Sequence, residues 1–144
     1  MYFYDLNSQN IKMKKFIWSV RVYYEDTDVG GMVYHANYLK FFERARTEML
    51  RTFGYEQDSL KANASVILVV RSVQVDYLRP ALFNDLLQVS AELTEIKKAS
   101  FTFSQQIIRG DEVLSSGIIR IACLDADTLR PKAIPEYLFE SLTA

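Results

Sequence analysis

Apolar and polar positions change period along this chain, and each change marks an element. Over residues 16–25, β-branched and aromatic residues dominate, and Val20, Val22 and Tyr24 alternate with Ser19, Arg21 and Tyr23. A period of two predicts a strand. The run Asp26-Thr27-Asp28-Val29-Gly30-Gly31 breaks it with turn formers. The period then lengthens. Leu39, Phe42, Ala45, Met49 and Phe53 recur at helical spacing, with Lys40, Arg44, Thr47 and Arg51 opposite them. That pattern predicts a helix over 36–53 with one apolar stripe, closed by Gly54. Arg46 falls near the stripe, where burial would require a carboxylate or carbonyl partner.

Residues 56–63 read as a polar connection with one helical turn. From there the period returns to two. Val73, Val75 and Tyr77 alternate with Ser72, Gln74 and Asp76 in a strand over 65–78, which Arg79-Pro80 ends. Further strands are predicted over 85–96, 100–109 and 113–124, with Gly110-Asp111 as the hairpin between the last two. Asp125-Ala126-Asp127 marks a turn, and Pro135 opens a short C-terminal helix. The order of strand, long helix and four strands joined mostly by tight turns predicts an α+β domain with a mainly antiparallel sheet. Residues 1–12 lie outside the core pattern and read as an N-terminal extension, leaving 13–144 as one domain.

Composition narrows the function. Seventeen Lys and Arg balance eighteen Asp and Glu, for a formal net charge of −1. There is no global field to attract nucleic acid. The one cysteine, Cys123, sits in an apolar run as a core thiol and has no partner for an intramolecular disulfide. One Cys and one His do not supply a zinc ligand set, and neither metal nor organic cofactor is expected. No apolar run approaches the ~20 residues of a membrane span, nor does an h-region follow Lys14-Lys15. The cytoplasm is the expected location. Nine Phe and nine Tyr suit a thick core, a ligand wall or a subunit interface.

The candidate chemistry lies between Tyr24 and Tyr38. A carboxylate-rich turn runs into a helix start, with Gly30 and Gly31 allowing close approach of a ligand. The first N–H groups of that helix lack internal partners and carry the positive end of the helix dipole. Such an end can stabilise oxygen charge developing in acyl transfer. The single histidine, His35, stands at this helix start. Asp26 and Asp28 fit equally as ordinary turn residues, and His35 fits a structural role. No Gly-Lys-Ser/Thr follows the glycine pair, so this is not a phosphate loop.

Tyr24-x-Asp26-Thr27-Asp28-x-x-Gly31-x-Val33-Tyr34-His35-x-Asn37-Tyr38, followed by Phe41-Phe42-Glu43-x-Ala45-Arg46, strongly resembles the YbgC family. These are acyl-CoA thioesterases associated with the Tol–Pal envelope system and related to 4-hydroxybenzoyl-CoA thioesterases. Asp76-Tyr77-Leu78-x-Pro80-Ala81 and Asp85 fit the same pattern. The resemblance runs from about Val20 to the C-terminus and is most specific between Tyr24 and Arg46. It implies a hotdog fold, with a five-stranded antiparallel sheet wrapped around the long helix. It implies a homodimer whose sheets join edge to edge, commonly paired again as a homotetramer, with active sites at the dimer interface. By position, Asp28 is the catalytic carboxylate, Tyr24 and His35 line its pocket, and the His35 N–H polarises the thioester carbonyl. Lys97, Lys98 and Ser100 match a region that contacts the CoA phosphates.

The expected reaction is hydrolysis of an acyl-CoA or acyl-carrier-protein thioester, with Asp28 as nucleophile or general base. Two rival readings stand beside it: a hotdog hydratase or dehydratase, and a partner that binds acyl thioesters without turnover. Acyl chain length is not written in any of these motifs.

Overall fold

The computed structural model describes residues 15–143; the extension over 1–12 lies outside them. Five strands form one antiparallel sheet: β1 (Lys15–Arg21), β2 (Val66–Tyr77), β3 (Leu86–Ile96), β4 (Ser100–Arg109) and β5 (Glu112–Asp125), in the order β1-β3-β4-β5-β2. Helix α1 (His35–Thr52) follows β1 and packs chiefly on β1, β3 and β4. Helix α2 (Gln57–Ala64) leads into β2, and α3 (Glu136–Thr143) closes the chain. One long helix against one antiparallel sheet is the α+β hotdog arrangement expected from the resemblance.

The element boundaries follow the turn residues closely, with three departures. The first strand ends at Arg21 rather than at residue 25, and Tyr24–Asp26 forms a single 3₁₀ turn. Val20 and Val22 are buried as alternation predicts, whereas the turn swings Tyr24 into solvent. The polar connection over 56–63 is an eight-residue helix, α2, anchored by buried Leu60. The apolar stripe of α1 is also shifted. Tyr38, Phe41, Phe42, Ala45, Arg46, Met49 and Leu50 are buried, while Leu39 is exposed. A helix lying on a sheet buries a face wider than one row of side chains, and tertiary contact selects which flank it includes.

A helix side chain meets the sheet backbone directly at Gly117 on β5. A Cβ there would stand 3.2 Å from the Phe42 ring and from Ile119 Cδ1, so glycine is what lets α1 sink onto the sheet. Arg46 is buried within this contact at 8% exposure. Its partner is the side-chain carbonyl of Gln105, with Arg46 Nη1 donating to Oε1 at 3.0 Å. Gln105 Nε2 in turn donates to the carbonyls of Phe42 and Ser90, both at 3.0 Å. Burial pushes the Arg46 guanidinium down to about 10, against the opposing pull of Glu43.

Strand β2 is an edge strand. Val73, Val75 and Tyr77 pair with Ile119, Gly117 and Ser115, residues of β5 that are buried beneath the helix. Paired residues share a face, so this row of β2 also points to the helix side. Yet Val70, Val73 and Tyr77 remain 50%, 42% and 47% exposed. The helix leaves the β2 side of its own sheet uncovered.

Candidate active site

The turn between β1 and α1 treats its two aspartates differently. Asp26 is 8% exposed. Its Oδ2 accepts the Tyr23 N–H at 2.9 Å, and its carbonyl accepts the Tyr34 N–H at 3.0 Å and Asn37 Nδ2 at 2.9 Å. Asp26 is therefore spent on shaping the turn. Asp28 is exposed and sits at the base of a tight loop, with its N–H donating to the Met32 carbonyl at 2.8 Å. Gly31 makes that loop possible, with φ at 79°, a conformation that favours glycine. The Gly30 N–H, at 2.9 Å, and the Met32 N–H, at 3.4 Å, both donate to Asp28 Oδ1. Oδ2 accepts no hydrogen bond among the described residues. One carboxylate oxygen is anchored and the other is left for chemistry.

Asp28 and His35 line the same cleft, of about 470 Å³, together with Met32, Tyr38, Tyr77 and Pro80 among others. His35 is the first residue of α1. No side chain caps this helix start, and the N–H groups of His35 and Ala36 have no acceptor among the described residues. Of these two, His35 lines the cleft, so an unspent N–H at the positive end of an 18-residue helix belongs to a residue that shares the cleft with the free carboxylate oxygen. The His35 ring lies against Tyr34, with centroids 4.5 Å apart, and meets the edge of Tyr77 at 6.3 Å.

Tyr77 is a site residue to which sequence reasoning gave no role, although it lies in the matched Asp76-Tyr77-Leu78 motif. It arrives from the end of β2, 42 residues along the chain, and its hydroxyl donates to the His35 carbonyl at 2.9 Å. Burial, then the neighbouring Tyr38, raise the Tyr77 hydroxyl above its ordinary range, so at neutral pH it is a protonated donor. Its ring stands edge-on to Tyr38 at 5.1 Å. Tyr38 in turn accepts the Ala81 N–H at 2.9 Å, which fixes the first turn of α1 against the segment after β2.

The other residues expected in the site lie elsewhere. Tyr24 is 78% exposed, is not part of the cleft lining, and stacks on Phe83 with centroids 4.0 Å apart. Lys97 and Ser100, at the β3–β4 turn, line a second cleft of about 450 Å³ with Arg71, Ser72, Glu95, Thr102 and Arg120. Lys97 Nζ stands 3.9 Å from Glu95. Lys98 is exposed and does not line that cleft; its carbonyl accepts the Ile134 N–H. Arg71 and Arg120 were not anticipated, because a β-bulge between Val70 and Ser72 and a cross-strand neighbour set their placement. Among the described residues, no group of three or more His, Cys, Asp or Glu is arranged to hold a metal ion. Nor is any helix among the described residues long and apolar enough to cross a membrane.

Residues 22–142 match the family model of the thioesterase-like superfamily. The chain belongs to that superfamily. Within it, the acyl-CoA thioesterase YbgC of Haemophilus influenzae is 46% identical over 121 residues, covering 84% of this chain and 89% of that one. The acyl-CoA thioester hydrolase YbgC of Escherichia coli is 43% identical over 124 residues, covering 85% and 92%. Among solved structures, a probable thioesterase from Bartonella henselae superposes with a TM-score of 0.80 at 32% identity, over 86% of this chain and all of that one. These relatives share nearly half of the aligned sequence, and the Bartonella henselae structure shares the fold.

Proposed function

We infer that the protein is an acyl-CoA thioesterase, with Asp28 as the reacting carboxylate. The observation that carries this reading is the pairing, in one cleft, of a half-anchored Asp28 carboxylate with His35, whose N–H is unspent at the helix start. The thioester oxygen accepts from the His35 N–H, which stabilises the charge that develops on it. Asp28 Oδ2 either attacks the carbonyl carbon, giving a mixed anhydride that water then opens, or draws a proton from an attacking water. Both routes consume one water, break the C–S bond and release a carboxylic acid and a thiol. His35, on the rim, orients the water or stabilises the departing thiolate. The printed activities of the YbgC relatives support this substrate class.

The second cleft suits the CoA phosphates, since Arg71, Arg120 and Lys97 bring three cations to one surface with Ser100. Lys98 flanks it. The bare backbone edge of β2 and the uncovered apolar row beside it suit pairing with a second copy, giving a homodimer or, with a further pairing, a homotetramer. Such pairing also extends each cleft with groups from two chains. The same chemistry accepts an acyl-carrier protein in place of CoA, and acyl-CoA supply agrees with a cytoplasmic setting.

Purified protein incubated with a series of acyl-CoAs and a thiol reagent tests the reading. Thiol release that depends on Asp28 is expected. Hydration of crotonyl-CoA without thiol release would assign a hydratase instead, and saturable binding without either would assign a carrier. Light scattering is expected to report a dimer or larger species, and dilution to dissociation should remove activity. A fully active monomer would overturn the shared site.

Tyr77→Phe is expected to slow turnover about fivefold, the equivalent of one hydrogen bond of ~1 kcal/mol. The ring contacts remain, and only the donor to the His35 carbonyl is lost. An unchanged kcat would remove Tyr77 from positioning the helix start.

A further inference from the structure

The segment Arg79–Asp85 touches the loop that carries Asp28 along its whole inner side. The Val33 N–H donates to the Ala81 carbonyl at 2.9 Å, and the Phe83 N–H donates to the Gly31 carbonyl at 3.0 Å. Met32 and Leu82 form a β-bridge between these bonds. The Ala81 N–H reaches Tyr38 Oη, as described above. Within itself the loop is tied by the Asp28 N–H to the Met32 carbonyl and by a Thr27–Val33 bridge, while Val29 is fully exposed and Gly30 and Gly31 bring no side chains to pack. Its placement against the body of the fold depends in part on the segment beneath.

That segment is in turn held at both ends by side chains of alternating charge. Arg79 Nε donates to Glu112 Oε2 at 3.0 Å, and Glu112 Oε1 accepts Arg109 Nη2 at 2.8 Å. Arg109 Nη1 reaches Asp85 Oδ2 at 2.6 Å and the Pro80 carbonyl at 3.3 Å. Asp85 Oδ2 also accepts the Leu82 N–H at 2.9 Å. The central pair is partly shielded, with Arg109 30% and Asp85 19% exposed. Arg109 thus grips the segment both at its start, at Pro80, and at its end, at Asp85, from the β4–β5 hairpin, while Arg21 Nη1 donates to the Asn84 carbonyl at 2.8 Å from β1. None of these four residues lies on the catalytic loop, although Arg79 lines the same cleft as Asp28.

We propose that Arg109 and Asp85 are positioning residues, a clamp that sets the Asp28 loop through the backbone of residues 79–85. The part of this that concerns turnover rests on the thioesterase reading; the part that concerns loop geometry does not. Released from the clamp, the segment keeps its backbone bonds to Val22 and Leu114 at its ends but loses the Arg109 tie across residues 80–85, so the support of the Gly31–Val33 strip loosens and the Asp28 carboxylate moves relative to the His35 N–H. Small displacements of this kind reduce kcat more than substrate binding.

The test uses Arg109→Met and Asp85→Asn in the full chain, with two readouts. Amide hydrogen exchange at Val33 and Phe83 reports the loop directly, and steady-state kinetics on one acyl-CoA reports its consequence. Exchange at both amides is expected to quicken by about tenfold or more, and kcat to fall by about tenfold with KM within about twofold. Arg109→Lys, which keeps the charge beside Asp85, should recover part of both. Asp85→Asn keeps an acceptor for the Leu82 N–H, so it remains informative where Arg109→Met fails to fold. Exchange at Val33 and Phe83 equal to wild type in a folded variant would overturn the clamp. So would a wild-type kcat accompanying faster exchange. A wild-type protein that releases no thiol would sink the thioesterase reading instead, while the exchange comparison would still decide the clamp.

Discussion

Asp28→Asn is expected to lower kcat by at least about a hundredfold, roughly 2.7 kcal/mol of transition-state stabilisation, with the fold unchanged. The loop tolerates the substitution because its shape depends on Oδ1. That oxygen accepts from the Gly30 and Met32 N–H groups, and an asparagine carbonyl accepts them equally well. The change therefore falls on the other position, where an amide nitrogen replaces the free oxygen. An NH₂ group can neither attack a thioester carbonyl nor take a proton from water at neutral pH. Acyl-CoA binding should persist, since the helix donors and the cationic cleft are untouched. The measurement is thiol release under saturating substrate, with CoA affinity and circular dichroism as controls. Retention of more than about a tenth of wild-type kcat, a loss of less than ~1.4 kcal/mol, would take Asp28 out of the reacting role. Asp26→Asn should behave differently. Its carboxylate holds the Tyr23 N–H inside the turn, so its loss should register in loop order before chemistry.

Gln105→Leu is expected to cost about 3–5 kcal/mol of stability, the usual scale for breaking a buried charged network. The glutamine is 1% exposed and links three elements: Arg46 of α1 donates to its oxygen, and its nitrogen donates to Phe42 of α1 and Ser90 of β3. Leucine fills the space and leaves a buried guanidinium with no acceptor among the described residues. A carboxylate at this position would satisfy Arg46 and face the two carbonyls with no proton to offer. Only an amide serves both sides. The check is a urea unfolding curve, with a lower midpoint and an unchanged slope. A shift worth less than about 1 kcal/mol would mean that water replaces the lost partner.

The pattern of apolar and polar residues determined most of the architecture. Strand-like patterns in five stretches, a helical period in one, and turn formers between them leave few arrangements other than a sheet with one long helix. The hairpin at Gly110 is an example. Its φ of 61° is the left-handed conformation that an isolated Gly-Asp between two strands predicts. Local chemistry was legible less fully: a carboxylate turn ahead of a helix start fits acyl transfer and fits an ordinary turn equally well. The resemblance to YbgC then singled out Asp28. Only the tertiary structure shows why it differs from Asp26, because both have the same composition around them and only backbone geometry decides which carboxylate oxygens are consumed. Tyr77 reaching His35, Gln105 reaching Arg46 and Arg109 reaching Asp85 join residues 42, 59 and 24 positions apart. Strand registers, bulges at Val70–Ser72 and Leu93–Glu95 among them, set these meetings. Periodicity reports which way a side chain faces within its own element. It carries no information on which element comes to lie opposite, and that is settled by packing the whole sheet around the helix at once.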